Sequence, residues 1–325
     1  MGKILVTGAA GFIGSHVVEL LLGAGKHVVG FDNLNDAYDM RLKEWRLEQL
    51  EDHSGFSFRK VDIADEESLA ETWGDEKFDA VINLAARAGV RQSVRDPQIY
   101  FRANVRGLLN VLNQCNEQGI SKIVQASTSS LYGAHNPRPF KEDADISQPL
   151  SPYAASKGAA EMLSHSYHHL HGLEITILRY FTVYGPAGRP DMSIFRFIQW
   201  IAEGQPVQLY GDGEQERDFT FVEDIARGTV AALDCPGFEV INLGGDKPYR
   251  MLDLIAAIEQ RLEKKAIIEQ GPEAPGDVRS TWADISRADR LLSWKPETDL
   301  IAGVSATIDW YLRERDWASQ IETVV

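Results

Sequence analysis

Residues 3–14 read KILVTGAAGFIG, in which a short aliphatic run passes directly into glycines at positions 8, 11 and 14. Glycines permit a sharp turn from strand to helix and let the backbone approach a diphosphate, which the helix N-terminus then stabilises. Asp32 ends the next strand-like run, where a carboxylate can accept hydrogen bonds from ribose hydroxyls. This order of strand, glycines, helix, strand and acid predicts a dinucleotide-binding α/β fold.

The acid at position 32 also indicates which dinucleotide binds. A carboxylate would repel a 2′-phosphate, and no arginine follows Asp32 directly to reverse that preference. We therefore expect NAD rather than NADP as the cofactor. In the alternative interpretation the glycines only close a tight turn. That interpretation does not explain why an acid ends the second strand.

Strand-like and helical segments alternate over the first 180 residues, which predicts parallel strands joined by helices. We expect an α/β fold, a doubly wound parallel sheet of the Rossmann type with a smaller C-terminal α/β lobe. Residues 1–180 are expected to bind NAD and to carry the catalytic residues, and residues 181–325 to bind mainly the substrate. The predicted strands of the sheet are Lys3–Thr7, His27–Phe31, Phe56–Val61, Ala80–Leu84, Lys122–Ser127 and Glu174–Leu178.

Charge and composition argue against several classes of function. The chain has 33 Lys and Arg against 48 Asp and Glu, a net charge of -15, which disfavours binding to a nucleic acid. Two cysteines, no signal-peptide pattern and no apolar run of membrane-spanning length predict a cytoplasmic protein without a membrane partner. Half of the 8 histidines lie between residues 165 and 171, but no nearby carboxylate or cysteine completes a ligand set, so no metal is expected.

A tyrosine and a lysine stand four residues apart at the start of a predicted helix, Pro152–Leu170. Side chains at this spacing share one face, so the Lys157 ammonium can stabilise a Tyr153 phenolate. Lys157, the helix N-terminus and an oxidised nicotinamide would each lower the pKa of Tyr153 from its ordinary ~10, which predicts a general base. The preceding strand ends in hydroxyl residues 127–130, of which Thr128 is expected to hydrogen-bond the reacting hydroxyl.

The sequence from residue 4 to about residue 312 resembles the extended short-chain dehydrogenase/reductase family. The resemblance rests on the glycine motif, on Tyr153 with Lys157, and on the hydroxyl-rich strand end before residues 131–133. It implies NAD chemistry, with Thr128, Tyr153 and Lys157 as the catalytic residues. Motif and resemblance together imply that NAD is bound by Gly8, Gly11, Phe12, Ile13, Gly14, Asp32, Asn33, Asp62, Ile63, Leu84, Ala85, Ala86, Tyr153, Lys157 and Tyr180.

The hydroxyl residues also indicate the reaction. Dehydratases and decarboxylases of this family carry an acidic residue before the Tyr-Gly pair, whereas this chain has Ser129, Ser130 and Leu131 there. Oxidation followed by re-reduction needs only the tyrosine, the lysine and a hydroxyl, so the resemblance implies a nucleotide-sugar epimerase. The segments that resemble UDP-glucuronate 4-epimerases are 33–36, 88–91, 179–186 and 188–192.

This closer resemblance implies 4-epimerisation of a UDP-sugar, UDP-glucuronate to UDP-galacturonate, through a transient 4-keto intermediate. Thr182 stands where galactose-type 4-epimerases carry Asn, and its hydroxyl is expected to help bind a C5 carboxylate. Ala274 stands where many relatives have an arginine, and Arg279 is expected to compensate. The expected substrate-binding residues are Arg91, Ser127, Ser129, Thr182, Arg189, Arg217, Asp277 and Arg279.

Other functions remain compatible with the sequence. They are a UDP-glucose or UDP-N-acetylglucosamine 4-epimerase, a nucleotide-sugar dehydratase or reductase, and a regulatory protein that senses NAD without turnover. The fold alone does not separate them. The resemblance also implies a homodimer, in which helices 97–118 and 152–170 pack against the same helices of a second copy.

Overall fold

Seven parallel strands form the central sheet of the computed structural model, which describes residues 2–272 and 278–323. Five further strands form two small sheets. The strands are β1 (Lys3–Thr7), β2 (His27–Asp32), β3 (Phe56–Lys60), β4 (Ala80–Asn83), β5 (Lys122–Thr128), β6 (Glu174–Tyr180), β7 (Thr182–Tyr184), β8 (Pro206–Tyr210), β9 (Glu216–Phe221), β10 (Phe238–Leu243), β11 (Pro248–Arg250) and β12 (Ile267–Gly271).

Helices connect most of these strands. The helices are α1 (Phe12–Gly23), α2 (Arg41–Glu51), α3 (Glu66–Trp73), α4 (Val90–Arg95), α5 (Pro97–Phe101), α6 (Gly107–Gln118), α7 (Pro152–His171), α8 (Ser193–Ala202), α9 (Val222–Ala231), α10 (Met251–Leu262), α11 (Ser286–Leu292), α12 (Leu300–Arg313) and α13 (Arg315–Ala318). A π turn at Arg102–Arg106 joins α5 to α6, so the helix predicted at 97–118 is interrupted.

The central sheet has the order β10-β6-β5-β4-β1-β2-β3. The chain runs from β1 to one edge, returns, and continues from β4 toward the other edge. In such a doubly wound sheet the carboxyl ends of the two strands at the reversal, here β1 and β4, border a crevice in which ligands bind. The predicted α/β fold with a doubly wound parallel sheet is confirmed.

Alternate residues of β1 show how the two faces of the sheet are covered. Ile4 and Val6 belong to a buried cluster that includes residues of α1 and α9. Leu5, which points to the other face, belongs to a cluster that includes residues of α3, α6 and α7. Helices on both faces explain why the strands are apolar runs rather than alternating ones.

A third apolar cluster lies mostly in the later part of the chain and is built on α8, α10 and α12. The later part also contributes β10, which pairs in parallel with β6 at the edge of the central sheet. The sequence did not predict β10, because its partner lies about sixty residues earlier in the chain. The division at residue 180 stays a prediction about which residues serve the cofactor and which serve the substrate.

The turn between β1 and α1 requires glycine at two positions. Gly8 has a φ of 71°, and a Cβ there would lie 2.7 Å from the Ala85 amide nitrogen. A Cβ on Gly14 would lie 2.0 Å from the Gly8 carbonyl oxygen, closer than any non-bonded contact allows. The glycines therefore let α1 begin directly at the carboxyl end of β1.

We expect Gly14→Ala to destabilise the fold by about 1–3 kcal/mol, because the new methyl group pushes α1 away from the turn. NAD binding should weaken with it. Gly23→Ala is the matched control, since it ends the same helix and a Cβ there meets nothing within 4 Å. Urea unfolding with NAD titration measures both, and equal stability of the two variants would contradict this account of the turn.

Candidate active site

A cavity of about 310 Å³ opens at the carboxyl ends of the central strands; we call it the inner cavity. Thr128 at the end of β5, Tyr153 and Lys157 on α7, and Tyr180 at the end of β6 all line it. The other predicted site residues on its wall are Gly8, Gly11, Phe12, Ile13, Gly14, Leu84, Ala86, Ser127, Ser129, Thr182 and Arg189. No Asp or Glu occurs among the described residues that line it.

A second cavity, of about 110 Å³, lies where β1, β2 and β4 end; we call it the edge cavity. It shares Gly8, Gly11, Leu84 and Ala86 with the inner cavity, so the two form one groove along the sheet. The remaining predicted cofactor residues line this end: Asp32, Asn33, Asp62, Ile63 and Ala85.

Asp32 has a cationic partner that the sequence did not reveal. The buried Lys43 of α2 places its Nζ 3.3 Å from Asp32 Oδ1 and also lines the edge cavity. The Leu34 amide donates to the same oxygen at 2.8 Å. No fixed spacing links a lysine on α2 to an acid ending β2, so only the packing of α2 brings the two together.

Local sequence explains how α7 begins beside the inner cavity. Ser151 caps the helix by accepting a hydrogen bond from the Ala154 amide at 3.1 Å, and Pro152 occupies the first helical turn. Lys157 is buried, and its Nζ donates to the Ala126 carbonyl of β5 at 2.9 Å. Burial lowers the pKa of Lys157 to about 8.

The pKa of Tyr153 departs from the sequence-based expectation. Burial raises it above the ordinary value, while a hydrogen bond with Thr128 and the positive charge of Arg189 act in the lowering direction. Lys157 instead donates to a main-chain carbonyl. The chain's own groups therefore favour the protonated phenol, which is the form that donates a proton.

The π turn before α6 is hydrogen-bonded to α7 through Asn104. It directs the buried Asn104 so that its Nδ2 donates to Ser156 Oγ at 2.9 Å, and Ser156 Oγ in turn donates to the Tyr153 carbonyl at 2.7 Å. The Asn104 amide group also accepts from the Arg87 amide and donates to the Arg87 carbonyl. One side chain thus joins the catalytic helix to the loop after β4.

Ser127 is positioned differently from the expectation. Its hydroxyl donates to Glu161 Oε1 at 2.5 Å, and Glu161 forms a buried ion pair with Arg179 at 2.7 Å. The hydroxyl predicted to bind substrate is therefore used within the protein, although other atoms of Ser127 line the inner cavity. Thr128 and Ser129, which follow it, line the same cavity.

A third cavity, of about 260 Å³, adjoins the inner cavity and shares Gly89, Val90, Thr182 and Met192 with it; we call it the outer cavity. Arg91 and Arg217, both predicted to bind substrate, line it. The guanidinium carbon of Arg91 lies 4.3 Å from the centre of the Tyr210 ring, which is close enough for a cation–π contact.

The other predicted substrate residues have different environments. Arg189 lines the inner cavity but forms an ion pair with Asp191 at 2.6 Å. The Arg279 side chain is 70% exposed, and its Nη2 lies 3.3 Å from Asp212 Oδ2. Arg279 is not among the residues that line the three cavities. Asp277 and Ala274 lie outside the described residues.

The structure adds Arg196 to the outer cavity. This arginine lies in α8, whose ten residues are otherwise mostly apolar and buried. A single cation inside such an apolar helix was a signal in the sequence, because long charged side chains are rarely buried without a partner. Helical periodicity alone does not show what the side chain faces.

The chain is similar in sequence and in fold to known proteins. Residues 4–244 match the model of the NAD dependent epimerase/dehydratase family. The chain belongs to that family. It is 52% identical over 311 residues to the UDP-glucuronate 4-epimerase of Thermodesulfobacterium geofontis, covering 95% of this chain and 96% of the relative.

Solved structures of family members are also similar to this one. The UDP-glucuronic acid 4-epimerase of Bacillus cereus, in complex with UDP-glucuronic acid and NAD, has a TM-score of 0.90 and 41% identity, covering 96% of this chain and 99% of that one. The UDP-glucose 4-epimerase of Thermotoga maritima with UDP-glucose has a TM-score of 0.89 and 31% identity, covering 96% and 99%.

The residues present fit the NAD of this family. The edge and inner cavities form one groove, and the glycines at the turn between β1 and α1 put backbone rather than side chains against it. Asp32, which the sequence predicts to bind a ribose, lines one end of this groove, and Tyr153 lines the other. When bound, NAD⁺ accepts a hydride from the substrate and returns it, and its positive ring lowers the pKa of a nearby phenol.

The described part of the chain contains no candidate metal site and no helix that could span a membrane. Among residues 2–272 and 278–323, no group of three or more His, Cys, Asp and Glu could hold a metal ion. Of the histidines on α7, His165 and His168 pack against the Phe238 ring of β10. Within those residues no helix is both long and apolar enough to cross a membrane.

We expect Lys157→Met to stabilise the protein by about 1–3 kcal/mol while lowering turnover at least ~100-fold. Methionine removes a buried charge, and Glu161 keeps Arg179 as its partner. The folded-state pKa of Lys157, about 8, lies below the ordinary lysine value of 10.5. The cost of burying the charge is therefore complete below pH 8 and declines above it.

The stability gain of the variant should therefore be largest below pH 8 and fade toward pH 10.5. Thermal or urea unfolding at pH 7 and pH 10 measures this difference. Lys26→Met, at an exposed lysine, is the control and should show no such pH dependence. A variant less stable than the parent at pH 7 would show that Lys157 holds α7 against β5 chiefly through its hydrogen bond.

Proposed function

We propose that this protein catalyses the NAD-dependent 4-epimerisation of UDP-glucuronate to UDP-galacturonate through a 4-keto intermediate. One observation carries the proposal. The inner cavity brings Tyr153 and Thr128 together, and no carboxylate occurs among the described residues that line it. Elimination and decarboxylation therefore lack an acid or base in addition to the tyrosine, whereas oxidation and re-reduction do not need one.

Tyr153 is the group that moves the proton. In its deprotonated form, which the positive ring of bound NAD⁺ would favour, Tyr153 accepts the proton of the C4 hydroxyl as the hydride leaves that carbon. It donates the proton back to the C4 oxygen when the hydride returns to the opposite face. Thr128 lines the same cavity as Tyr153 and orients the C4 hydroxyl toward it. Lys157, one helical turn after Tyr153 on α7, supplies a buried positive charge at the wall of the same cavity.

Hydroxyl groups account for the preference for a sugar acid. Thr182 and Ser129 both line the inner cavity, and each can donate a hydrogen bond to a carboxylate without forming an ion pair. Arg189 supplies a nearby positive charge, which Asp191 partly neutralises. Relatives solved with UDP-glucuronic acid support the assignment of this substrate.

The active enzyme is a homodimer in our proposal. Met162 and Leu170 are 63% and 71% exposed on α7, two helical turns apart, and Phe101 of α5 is also exposed. Large apolar side chains are stabilised when a partner covers them, and two copies of these helices would cover one another. The expected cytoplasmic location stays a prediction, which the two free and buried cysteines support.

Proton NMR of the enzyme with NAD and UDP-glucuronate tests the reaction directly. We expect the anomeric and H4 signals of UDP-galacturonate to appear without UDP-pentose. Tyr153→Phe should lower the rate at least ~1000-fold, because the phenyl ring cannot accept the proton. Conversion of UDP-glucose but not of UDP-glucuronate would contradict the proposed substrate, and UDP-pentose as the main product would contradict the reaction.

Met162→Asp tests the dimer. We expect the wild-type chain to elute at twice its own mass in size exclusion with light scattering, and the variant to elute as a monomer, because the new charge would be buried at the interface. Leu312→Asp is the matched control, since Leu312 is an exposed leucine on α12. A dimer that survives Met162→Asp with undiminished affinity would place the interface elsewhere.

A further inference from the structure

Arg196 is a buried cation that forms no ion pair with the described residues. Its side chain is only 7% exposed, and its Nε and Nη1 atoms are buried without a hydrogen-bond partner. It lies over the Trp200 ring, with its guanidinium carbon 5.4 Å from the ring centre. A buried guanidinium normally pairs with a carboxylate or carbonyl groups, because desolvating an unpaired charge is costly. Such a group is satisfied when an anion binds.

The residues that line the outer cavity carry more positive than negative charge. Arg91, Arg95, Arg196 and Arg217 line it, against one carboxylate, Asp191. That carboxylate already forms an ion pair with Arg189 of the inner cavity. Although the chain has a net charge of -15, four arginines at one cavity make the electrostatic potential there positive. The outer cavity is therefore built for an anion.

The position of Arg196 relative to the reacting centre narrows the choice of anion. Met192 belongs to both the inner and the outer cavity, and the Arg196 amide donates to the Met192 carbonyl at 3.2 Å. Arg196 therefore lies one helical turn beyond Met192, on the outer-cavity side of the boundary between the two cavities. A substrate whose sugar ring contacts Tyr153 would place the group attached to its anomeric carbon there.

We propose that Arg196 binds the diphosphate of the UDP-sugar and supplies the positive charge that the sequence led us to expect from Arg279. This inference rests on the proposed function, because the diphosphate belongs to the same substrate. Arg279 is exposed and paired with Asp212, whereas Arg196 is buried and unpaired. The guanidinium lies against the Trp200 ring, so less side-chain freedom is lost when the phosphate oxygens bind.

The same geometry distinguishes the diphosphate from the sugar carboxylate. Arg196 lines the outer cavity, whereas Ser129, Thr128 and Tyr153 line the inner one. A group that contacts the diphosphate contributes equally to binding of UDP, UDP-glucose and UDP-glucuronate. A group that contacts the carboxylate contributes to UDP-glucuronate alone.

Isothermal titration of UDP, UDP-glucose and UDP-glucuronate into NAD-loaded wild type and Arg196→Met tests the proposal. We expect all three affinities to fall by a similar factor of about 30, as for loss of one charge-assisted contact in a buried site. Thermal unfolding without nucleotide should show Arg196→Met at least as stable as wild type, because the unpaired charge is gone. Arg196→Lys should recover part of the affinity for UDP.

Arg313→Met is the matched control, because Arg313 is 66% exposed and far along α12, and it should bind UDP normally. Unchanged binding of UDP by Arg196→Met, or a loss confined to UDP-glucuronate, would overturn the proposal. Failure of the proposed function is a separate result, since wild-type enzyme that binds UDP but does not epimerise UDP-glucuronate leaves the role of Arg196 intact.

Discussion

The close contact between the first glycine turn and α1 is the constraint on which the site depends. The Gly8 carbonyl lies so near Gly14 that a methyl group cannot fit between them. Helix α1 therefore begins at the end of β1 and directs its N-terminus at the crevice beside β4. The edge and inner cavities share this turn as one wall, so the groove exists only while α1 stays in place.

Catalysis places a second demand on the fold, because α7 must hold a tyrosine and a buried ammonium at the same edge of the sheet. The Ser151 cap sets where the helix begins, Asn104 ties it to the loop after β4 through Ser156, and Lys157 donates to β5. These contacts come from different parts of the chain. Groups held in this way need little rearrangement when the reaction begins.

Charge is distributed in opposite ways over the molecule and its cavities. The chain as a whole is strongly acidic, yet four arginines line the outer cavity and no carboxylate occurs among the described residues of the inner one. Acidic substrates are therefore accepted locally by a protein that repels polyanions globally. Within the fold, Glu161 forms a buried ion pair with Arg179, and its negative charge also acts on Lys157, whose pKa it raises against the effect of burial.

The sequence by itself determined six of the seven central strands, the NAD-binding turn and the placement of Tyr153 and Lys157 one turn apart on α7, because each depends on residues a few positions apart. The tertiary structure alone decided which groups are buried and what they face. It added β10 to the sheet, gave Asp32 the Lys43 partner, turned the Ser127 hydroxyl toward Glu161 and left Arg196 without an anion. Burial and pairing depend on contacts between distant segments, and a linear pattern does not specify them.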